Sequence, residues 1–177
     1  HITGFEPGTG VAGTKVKLHG RNLDRATAVE FGGVKAAAFN APAPTQLSVT
    51  VPPDARSGPV KLLSVLGDFT SEATFFLPPR LAKPETLAAK PGDVVEFTGR
   101  NFLGLESLRI GGQAVPFEVV ANDKLKFTVT DDLLGGGIKL AAPGGYWIST
   151  NSFAVLPRID SFESVIGPAQ TMVTLRG

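Results

Sequence analysis

The stretch Thr14-Lys-Val-Lys-Leu-His-Gly-Arg-Asn-Leu23 decides the fold, because the chain contains it more than once. It returns as Asp93-Val-Val-Glu-Phe-Thr-Gly-Arg-Asn-Phe102 and, in shortened form, as Thr171-Met-Val-Thr-Leu-Arg-Gly177. Each copy alternates apolar and polar residues and then reaches a glycine, which is typical of a β-strand with one buried face. The copies lie about 80 residues apart, so the sequence predicts two whole repeats and the beginning of a third.

A period of this length exceeds that of a solenoid unit and fits a small domain. The sequence therefore predicts one domain over residues 1–79, a second over 80–157, and the first two strands of an incomplete third repeat over 158–177. Proline-containing linkers join them at residues 77–80 and 156–158. Such linkers are short and extended, so neighbouring domains should touch. Because the chain begins at His1 and ends inside a repeat, we expect a piece of a longer protein that continues into a complete third domain.

Composition narrows the class of protein further. The 177 residues include 21 glycines, 14 prolines and no cysteine. Without a sustained helical period, this predicts an all-β chain with many turns and no disulfides or thiolate chemistry. No apolar run is long enough to span a bilayer, so direct membrane insertion is not expected. The net charge of +1 comes from 17 basic and 16 acidic residues mixed along the chain, so no nucleic-acid surface is expected.

Each repeat should contain about seven short strands, which indicates a sandwich of two sheets. In the first repeat, Gly32-Gly33 predicts a tight turn into a strand over residues 34–39, and two prolines predict a loop over 40–45. The predicted core consists of the inward-facing strand positions of both repeats. These are Val16, Leu18, Val29, Phe31, Leu47, Val49, Val51, Val60, Leu62 and Phe75, followed by Val95, Phe97, Leu108, Ile110, Leu125, Phe127, Val129, Ile138, Leu140 and Phe153.

A set of turn and strand positions in the first repeat resembles a known family. The positions are Pro7, Gly13, Gly20, Asn22, Phe31-Gly-Gly33, Val51-Pro52 and Ser57-Gly-Pro59. At these positions the chain is similar to IPT/TIG domains, which have the immunoglobulin-like fold found in plexins, Rel-type transcription factors and many bacterial surface proteins. The resemblance implies tandem immunoglobulin-like β-sandwiches of the E-set type. It further implies a spacer or binding module at the cell surface or outside the cell, without shared catalytic residues.

Several sequence patterns that could indicate a catalytic, cofactor or metal site have simpler structural explanations. Gly8-Thr-Gly10-Val-Ala-Gly13 fits a dinucleotide-binding pattern, but that pattern requires a following helix, and here a strand follows. The only histidines are His1 and His19, and no serine nucleophile motif accompanies them. The acidic pair Asp131-Asp132 lacks the spacing of a calcium loop. The sequence therefore predicts no catalytic residues, no metal and no cofactor.

The stretch Pro143-Gly-Gly-Tyr-Trp147 contains the only tyrosine and the only tryptophan, at the tip of the last hairpin of the second repeat. Such a tip could stack on a sugar ring or anchor a protein partner. Alternatively it packs between domains, because in this fold the tip lies at the pole where the chain enters, beside the loops at residues 101–106 and 121–124. Phe102, Tyr146 and Trp147 are therefore candidate ligand or interdomain contacts.

Two functions are consistent with these observations. The first is a non-enzymatic, semi-rigid tandem stalk of a larger extracellular or cell-surface protein, in contact with neighbouring immunoglobulin-like domains and binding a protein or polysaccharide ligand. The alternative is a carbohydrate-binding accessory module of a secreted polysaccharide-acting enzyme.

Overall fold

A computed structural model describes residues 1–82, 87–163 and 166–177. The described chain is built almost entirely of β-strands, with one short 3-10 turn at Leu23–Arg25. The strands of the first repeat are β1 (Ile2–Glu6), β2 (Lys15–Gly20), β3 (Ala26–Phe31), β4 (Val34–Lys35), β5 (Phe39–Ala43), β6 (Gln46–Thr50), β7 (Gly58–Ser64) and β8 (Phe69–Phe75).

These eight strands form two four-stranded sheets, in the orders β1-β2-β6-β5 and β4-β3-β7-β8. The organising strand β2 pairs antiparallel with both β1 and β6. Its Val16 and Leu18 side chains are completely buried, whereas Lys15 and Lys17 face solvent. Because side chains alternate along a strand, one face of β2 packs into a core that the two sheets enclose.

The second repeat has the same plan with one additional short strand, β10 (Ala88–Ala89). Its strands are β9 (Arg80–Leu81), β10 (Ala88–Ala89), β11 (Val94–Arg100), β12 (Ser107–Ile110), β13 (Gln113–Val115), β14 (Phe117–Ala121), β15 (Lys124–Thr128), β16 (Gly136–Ala142) and β17 (Gly145–Val155). They form a five-stranded sheet, β10-β17-β16-β12-β13, and a four-stranded sheet, β14-β15-β11-β9. The all-β prediction is thus confirmed.

The predicted core is also confirmed, since all twenty predicted residues are buried. They fall into two clusters, one spanning Ile2 to Leu77 and one spanning Leu81 to Phe153. In the first cluster the packed rings of Phe31 and Phe75 lie in one sheet, whereas the second cluster takes its rings from both sheets. Phe31 packs edge-on against Phe75 in the first, at 5.1 Å between ring centroids. In the second, Phe97 packs against Phe127 at 5.2 Å, and both contact Phe153.

The predicted strand over residues 34–39 and loop over 40–45 are wrong. The chain changes sheets here, because β4 pairs with β3 whereas β5 pairs with β6 in the opposite sheet. Pro42 is tolerated inside β5 because that strand lies at a sheet edge and its register shifts between Asn40 and Ala43. A proline removes one ladder hydrogen bond, which an edge or a bulge can accommodate.

The last segment forms a two-stranded hairpin of β18 (Ser161–Glu163) and β19 (Thr174–Arg176). Its apolar side chains remain exposed, with Phe162 at 54% and Leu175 at 60% of full exposure. Arg158 connects this segment to the second repeat through Asp131, at 3.3 Å, and also pairs with Asp160. No helix in the described part of the chain has the length and apolar character needed to cross a membrane.

Candidate functional site at the joint between the repeats

The two repeats meet at a hydrogen-bonded joint, defined here by Ser57, Pro78, Asn101 and Asn122. Asn101 follows β11 in the second copy of the Gly-Arg-Asn sequence and has a left-handed backbone with φ of 63°. Asparagine tolerates this conformation better than most residues. The conformation places the Asn101 side chain inside the joint, where the residue is only 4% exposed.

Both ends of the Asn101 side-chain amide have partners in the first repeat. Its Oδ1 accepts a hydrogen bond from the backbone N–H of Ser57 at 2.9 Å, and its Nδ2 donates to the backbone carbonyl of Pro78 at 3.0 Å. One amide thus satisfies two backbone groups of the first repeat. Each such bond contributes about 1 kcal/mol net, but an unpaired buried backbone group costs more.

Asn122 makes the third hydrogen bond across the joint. Its Nδ2 donates to the carbonyl of Ser57 at 2.8 Å, while its Oδ1 accepts from the backbone N–H of Leu103 at 3.1 Å. Ser57 is therefore held through both its N–H and its C=O. Its own Oγ accepts a hydrogen bond from the backbone N–H of Leu77 at 2.9 Å, which fixes the turn before β7 to the linker.

Two glycines of the second repeat allow its loops to approach the linker closely. A Cβ at Gly144 would lie 2.3 Å from the carbonyl carbon of Leu77, and one at Gly104 would lie 2.8 Å from the Phe76 ring. No side chain fits at the first position without moving backbone. Arg100 adds an exposed ion pair to Asp54 at 3.7 Å, a type of contact that contributes little to stability.

The loops predicted to face the first repeat do so, since they contain Asn101 and Asn122. Phe102, Tyr146 and Trp147 differ in their surroundings. Phe102 is fully buried in the second core. Trp147 is partly buried against that core, whereas Tyr146 is 67% exposed.

Tyr146 and Trp147 line a cleft of about 350 Å³ between the repeats. Its walls combine apolar, proline and cationic residues: Val11, Ala12, Pro53, Ala55, Leu77, Pro78, Pro79, Arg80, Arg100 and Asn101. An aromatic tip beside arginines and an amide can offer stacking and hydrogen bonds to a polar ligand.

Sequence reasoning missed Ser57 and the pairing role of Asn101. One signal for Asn101 was available, because the sequence Gly-Arg-Asn occurs in both complete repeats. Nothing local indicates that Ser57 would be its partner, 44 residues away.

The other sequence motifs considered above make ordinary structural contacts. His19 lies 3.5 Å from Glu6 on the outer face of the first sheet. Thr14 closes the glycine-containing turn by accepting a hydrogen bond from the N–H of Val11. Within residues 1–82, 87–163 and 166–177, no group of three or more His, Cys, Asp or Glu side chains is arranged to hold a metal ion.

Comparison with known proteins agrees with this architecture. Residues 1–76 match the model of the IPT/TIG domain family. No curated protein sequence matches the chain. Among solved structures, the chain is similar to SGBP-B from a complex xyloglucan utilization locus in Bacteroides uniformis, with 19% identity and a TM-score of 0.44 over 86% of this chain and 49% of that one.

Two further solved structures have comparable similarity. Surface glycan-binding protein PbSGBP-B from Prevotella bryantii has 17% identity and a TM-score of 0.48, covering 86% of this chain and 42% of that one. An auxiliary nutrient binding protein from Bacteroides thetaiotaomicron has 17% identity and a TM-score of 0.38, covering 84% and 36%. The chain spans less than half the length of each of these proteins. By the match of its first repeat, residues 1–76 form an IPT/TIG domain with an immunoglobulin-like β-sandwich fold.

Proposed function

We propose that this chain is a non-enzymatic, semi-rigid stalk and interaction module of a larger extracellular or cell-surface protein. In this proposal, immunoglobulin-like domains over residues 1–79 and 80–157 are followed by the first two strands of a third at 158–177. The observation that carries the proposal is the buried Asn101 amide, bonded to Ser57 and Pro78 across the joint. A flexible tether would not need such a contact.

The physical argument concerns the cost of opening the joint. If the repeats separated, the N–H of Ser57 and the amide of Asn101 would have to exchange buried partners for water. The proline-rich linker at residues 77–80 further limits the orientations that the second repeat can reach. Together they favour one relative orientation of the two repeats, which is what a spacer requires.

Small-angle X-ray scattering of the chain in solution tests this proposal. A single arrangement of the repeats should fit the curve of the unaltered chain, whereas Asn101→Ala should require an ensemble of orientations. Asn22→Ala is the matched control, because Asn22 has the same left-handed backbone, with φ of 55°, but is exposed. A curve for the unaltered chain that itself requires many orientations would contradict the stalk.

A second function, carbohydrate binding as an accessory module, is favoured by one observation. Tyr146 presents a largely exposed ring next to the cleft that Trp147 lines. Affinity electrophoresis in gels containing polysaccharides tests it, with Trp147→Ala expected to abolish retardation and Leu103→Ala, at an exposed position outside the cleft, to preserve it. Migration unaffected by any polysaccharide would leave the stalk as the remaining function.

A further inference from the structure

The outer face of the five-stranded sheet can be compared with the equivalent face of the first repeat at three corresponding positions, of which two differ. Strand pairing defines the correspondence. In the first repeat Glu30 lies opposite Lys61, and in the second Arg109 lies opposite Lys139. Lys61 and Lys139 also each lie opposite a residue of the strand that follows theirs along the chain. Asp68 and Tyr146 come just before that strand residue in their own repeats, so they occupy equivalent places.

In the first repeat the cation on this face is neutralised. The Nζ of Lys61 lies 3.0 Å from the carboxylate of Asp68. The hydrogen bond and charge of Asp68 raise the pKa of Lys61, and the charge of Glu30 adds to this effect. The Lys61 cation therefore has carboxylate partners on its own face of the sheet.

In the second repeat both carboxylates are replaced. Arg109 occupies the place of Glu30, and Tyr146 the place of Asp68. The Nζ of Lys139 instead lies 5.4 Å from the centroid of the Tyr146 ring, a cation–π distance. Arg109 donates one hydrogen bond, to the carbonyl of Gly112 at 3.0 Å, which leaves further donors of its guanidinium available.

Within the described ranges, neither Lys139 nor Arg109 forms an ion pair with a carboxylate. They are directly opposite on neighbouring strands, where side chains lie about 5 Å apart and like charges repel. Two adjacent cations on an exposed sheet face repel each other weakly, and an anion bound between or above them would relieve that repulsion. This argues for an anionic ligand.

The same face also has apolar surface. Tyr146 is 67% exposed and Ile148, on the same strand, is 55% exposed. Ala141 lies opposite Tyr146 and leaves the ring uncovered on that side. An exposed aromatic ring next to Lys139, with Arg109 opposite that lysine, fits a ligand that presents both a flat ring face and negative charge.

We propose that this face, formed by Arg109, Lys139, Tyr146 and Ile148, binds an acidic polysaccharide whose sugars carry carboxylates. A saccharide ring would stack on Tyr146 while its carboxylate accepts hydrogen bonds from Lys139 and Arg109. An acidic peptide fits less well, because peptides are bound along sheet edges or in grooves, and these residues form the middle of a sheet face. The inference rests on the binding role proposed above and is independent of the rigidity of the joint.

Isothermal titration calorimetry of the whole chain with polygalacturonate tests the inference. Lys139→Ala and Arg109→Ala should each weaken binding by about tenfold or more, as the loss of one charge-assisted hydrogen bond predicts. Tyr146→Ala should weaken it through loss of stacking. Lys61→Ala, at the equivalent position of the first repeat, is the matched control and should leave affinity within about twofold. Because charges carry the binding, affinity should also fall as salt is added.

Three results would overturn the inference. An uncharged polysaccharide such as dextran bound as tightly as polygalacturonate would show that the cations are not used. Polyglutamate bound in preference to polygalacturonate would assign the face to an acidic protein segment. Absence of binding to polygalacturonate by the folded chain would remove the site. The scattering test of the joint would stand in each case, so failure of this site is distinguishable from failure of the stalk.

Discussion

The joint between the two repeats and the junction after the second repeat occupy equivalent places but are held differently. At the first, side-chain amides of Asn101 and Asn122 bind the backbone of Ser57. At the second, Gly135 occupies the place of Ser57, and the described contact is an exposed ion pair from Arg158 to Asp131. Buried neutral amides fix geometry, whereas exposed ion pairs contribute little.

The residue at the equivalent turn position explains part of this difference. Ser57 provides a hydroxyl that the N–H of Leu77 can bind. Gly135 has no hydroxyl, its φ is +77°, and a Cβ there would lie 2.6 Å from the carbonyl oxygen of Phe153. A serine could not be placed there without strain. The two turns therefore offer different groups to the chain that follows them, a hydroxyl at Ser57 and none at Gly135.

Amide hydrogen exchange should show the largest contrast. Amides of β19 should exchange at least about 100-fold faster than those of β11, because β19 pairs with β18 alone among the described strands and its side chains are exposed. In β11, buried Val95 and Phe97 anchor the strand in the second core. Equal protection of the two strands in dilute solution would contradict the comparison.

Removing the Asn101 amide should break the first joint. Asn101→Ala leaves the N–H of Ser57 and the carbonyl of Pro78 without partners. We expect it to lower the free energy of unfolding in urea by about 1 to 3 kcal/mol more than Asn22→Ala does. The exposed Asn22 carries the same backbone strain, so the difference isolates the lost hydrogen bonds. Equal losses would mean that water replaces the amide without cost.

A methyl group at Gly144 should open the joint without removing any hydrogen bond. Its Cβ would overlap the backbone of Leu77, so Gly144→Ala should displace the hairpin tip from the linker. The emission of Trp147, the only tryptophan, should then shift to the red and become easier to quench with acrylamide. Gly137→Ala is the control, since a Cβ there meets no atom within 4 Å. Unchanged emission in both variants would show that the tip does not depend on this contact.

Acid should loosen the last segment, residues 158–177, slightly before it affects the joint between the repeats. Arg158 donates hydrogen bonds to Asp160 and lowers the pKa of that carboxyl group. A lowered pKa means that the pair stabilises the segment above the ordinary carboxylate pKa, and that this stabilisation is lost as the pH falls through the lowered value. Asn101, Asn122 and Ser57 do not titrate in this range.

Exchange rates of β18 and β19, followed from neutral pH to about pH 2 and corrected for intrinsic exchange, measure this effect. Asp160→Asn should remove the pH-dependent part. Loosening of the Ser57 amide at a higher pH than that of β19 would reverse the comparison.

Much of the fold was predictable because its signals are local. Alternation along β2 and β11 fixes which side chains are buried, and the repeated stretch fixes how often the plan recurs. The change of sheets between β4 and β5, at residues 36–38, was not predictable, because alternation identifies a strand's buried face but not its hydrogen-bonding partner. In addition, β5 contains Pro42, and for that reason the sequence predicted a loop where the structure has an edge strand.

The candidate site was predictable only in outline. The aromatic tip and the loops at residues 101–106 and 121–124 could be assigned to one pole from the order of strands. The bonds that Asn101 and Asn122 make to Ser57 span 44 and 65 residues. No local pattern encodes such separations.

By itself, the sequence of this protein determined most of the strands, their buried faces, the repeat and the tight glycine turns, since each depends on neighbours along the chain. Only the tertiary structure decided that two asparagines form hydrogen bonds with Ser57, and that Arg109, Lys139 and Tyr146 share one face of a sheet. These properties depend on which strands lie side by side and on how closely two backbones approach. Pairing and close approach are set by the packed core as a whole, so they become visible only once the chain has folded.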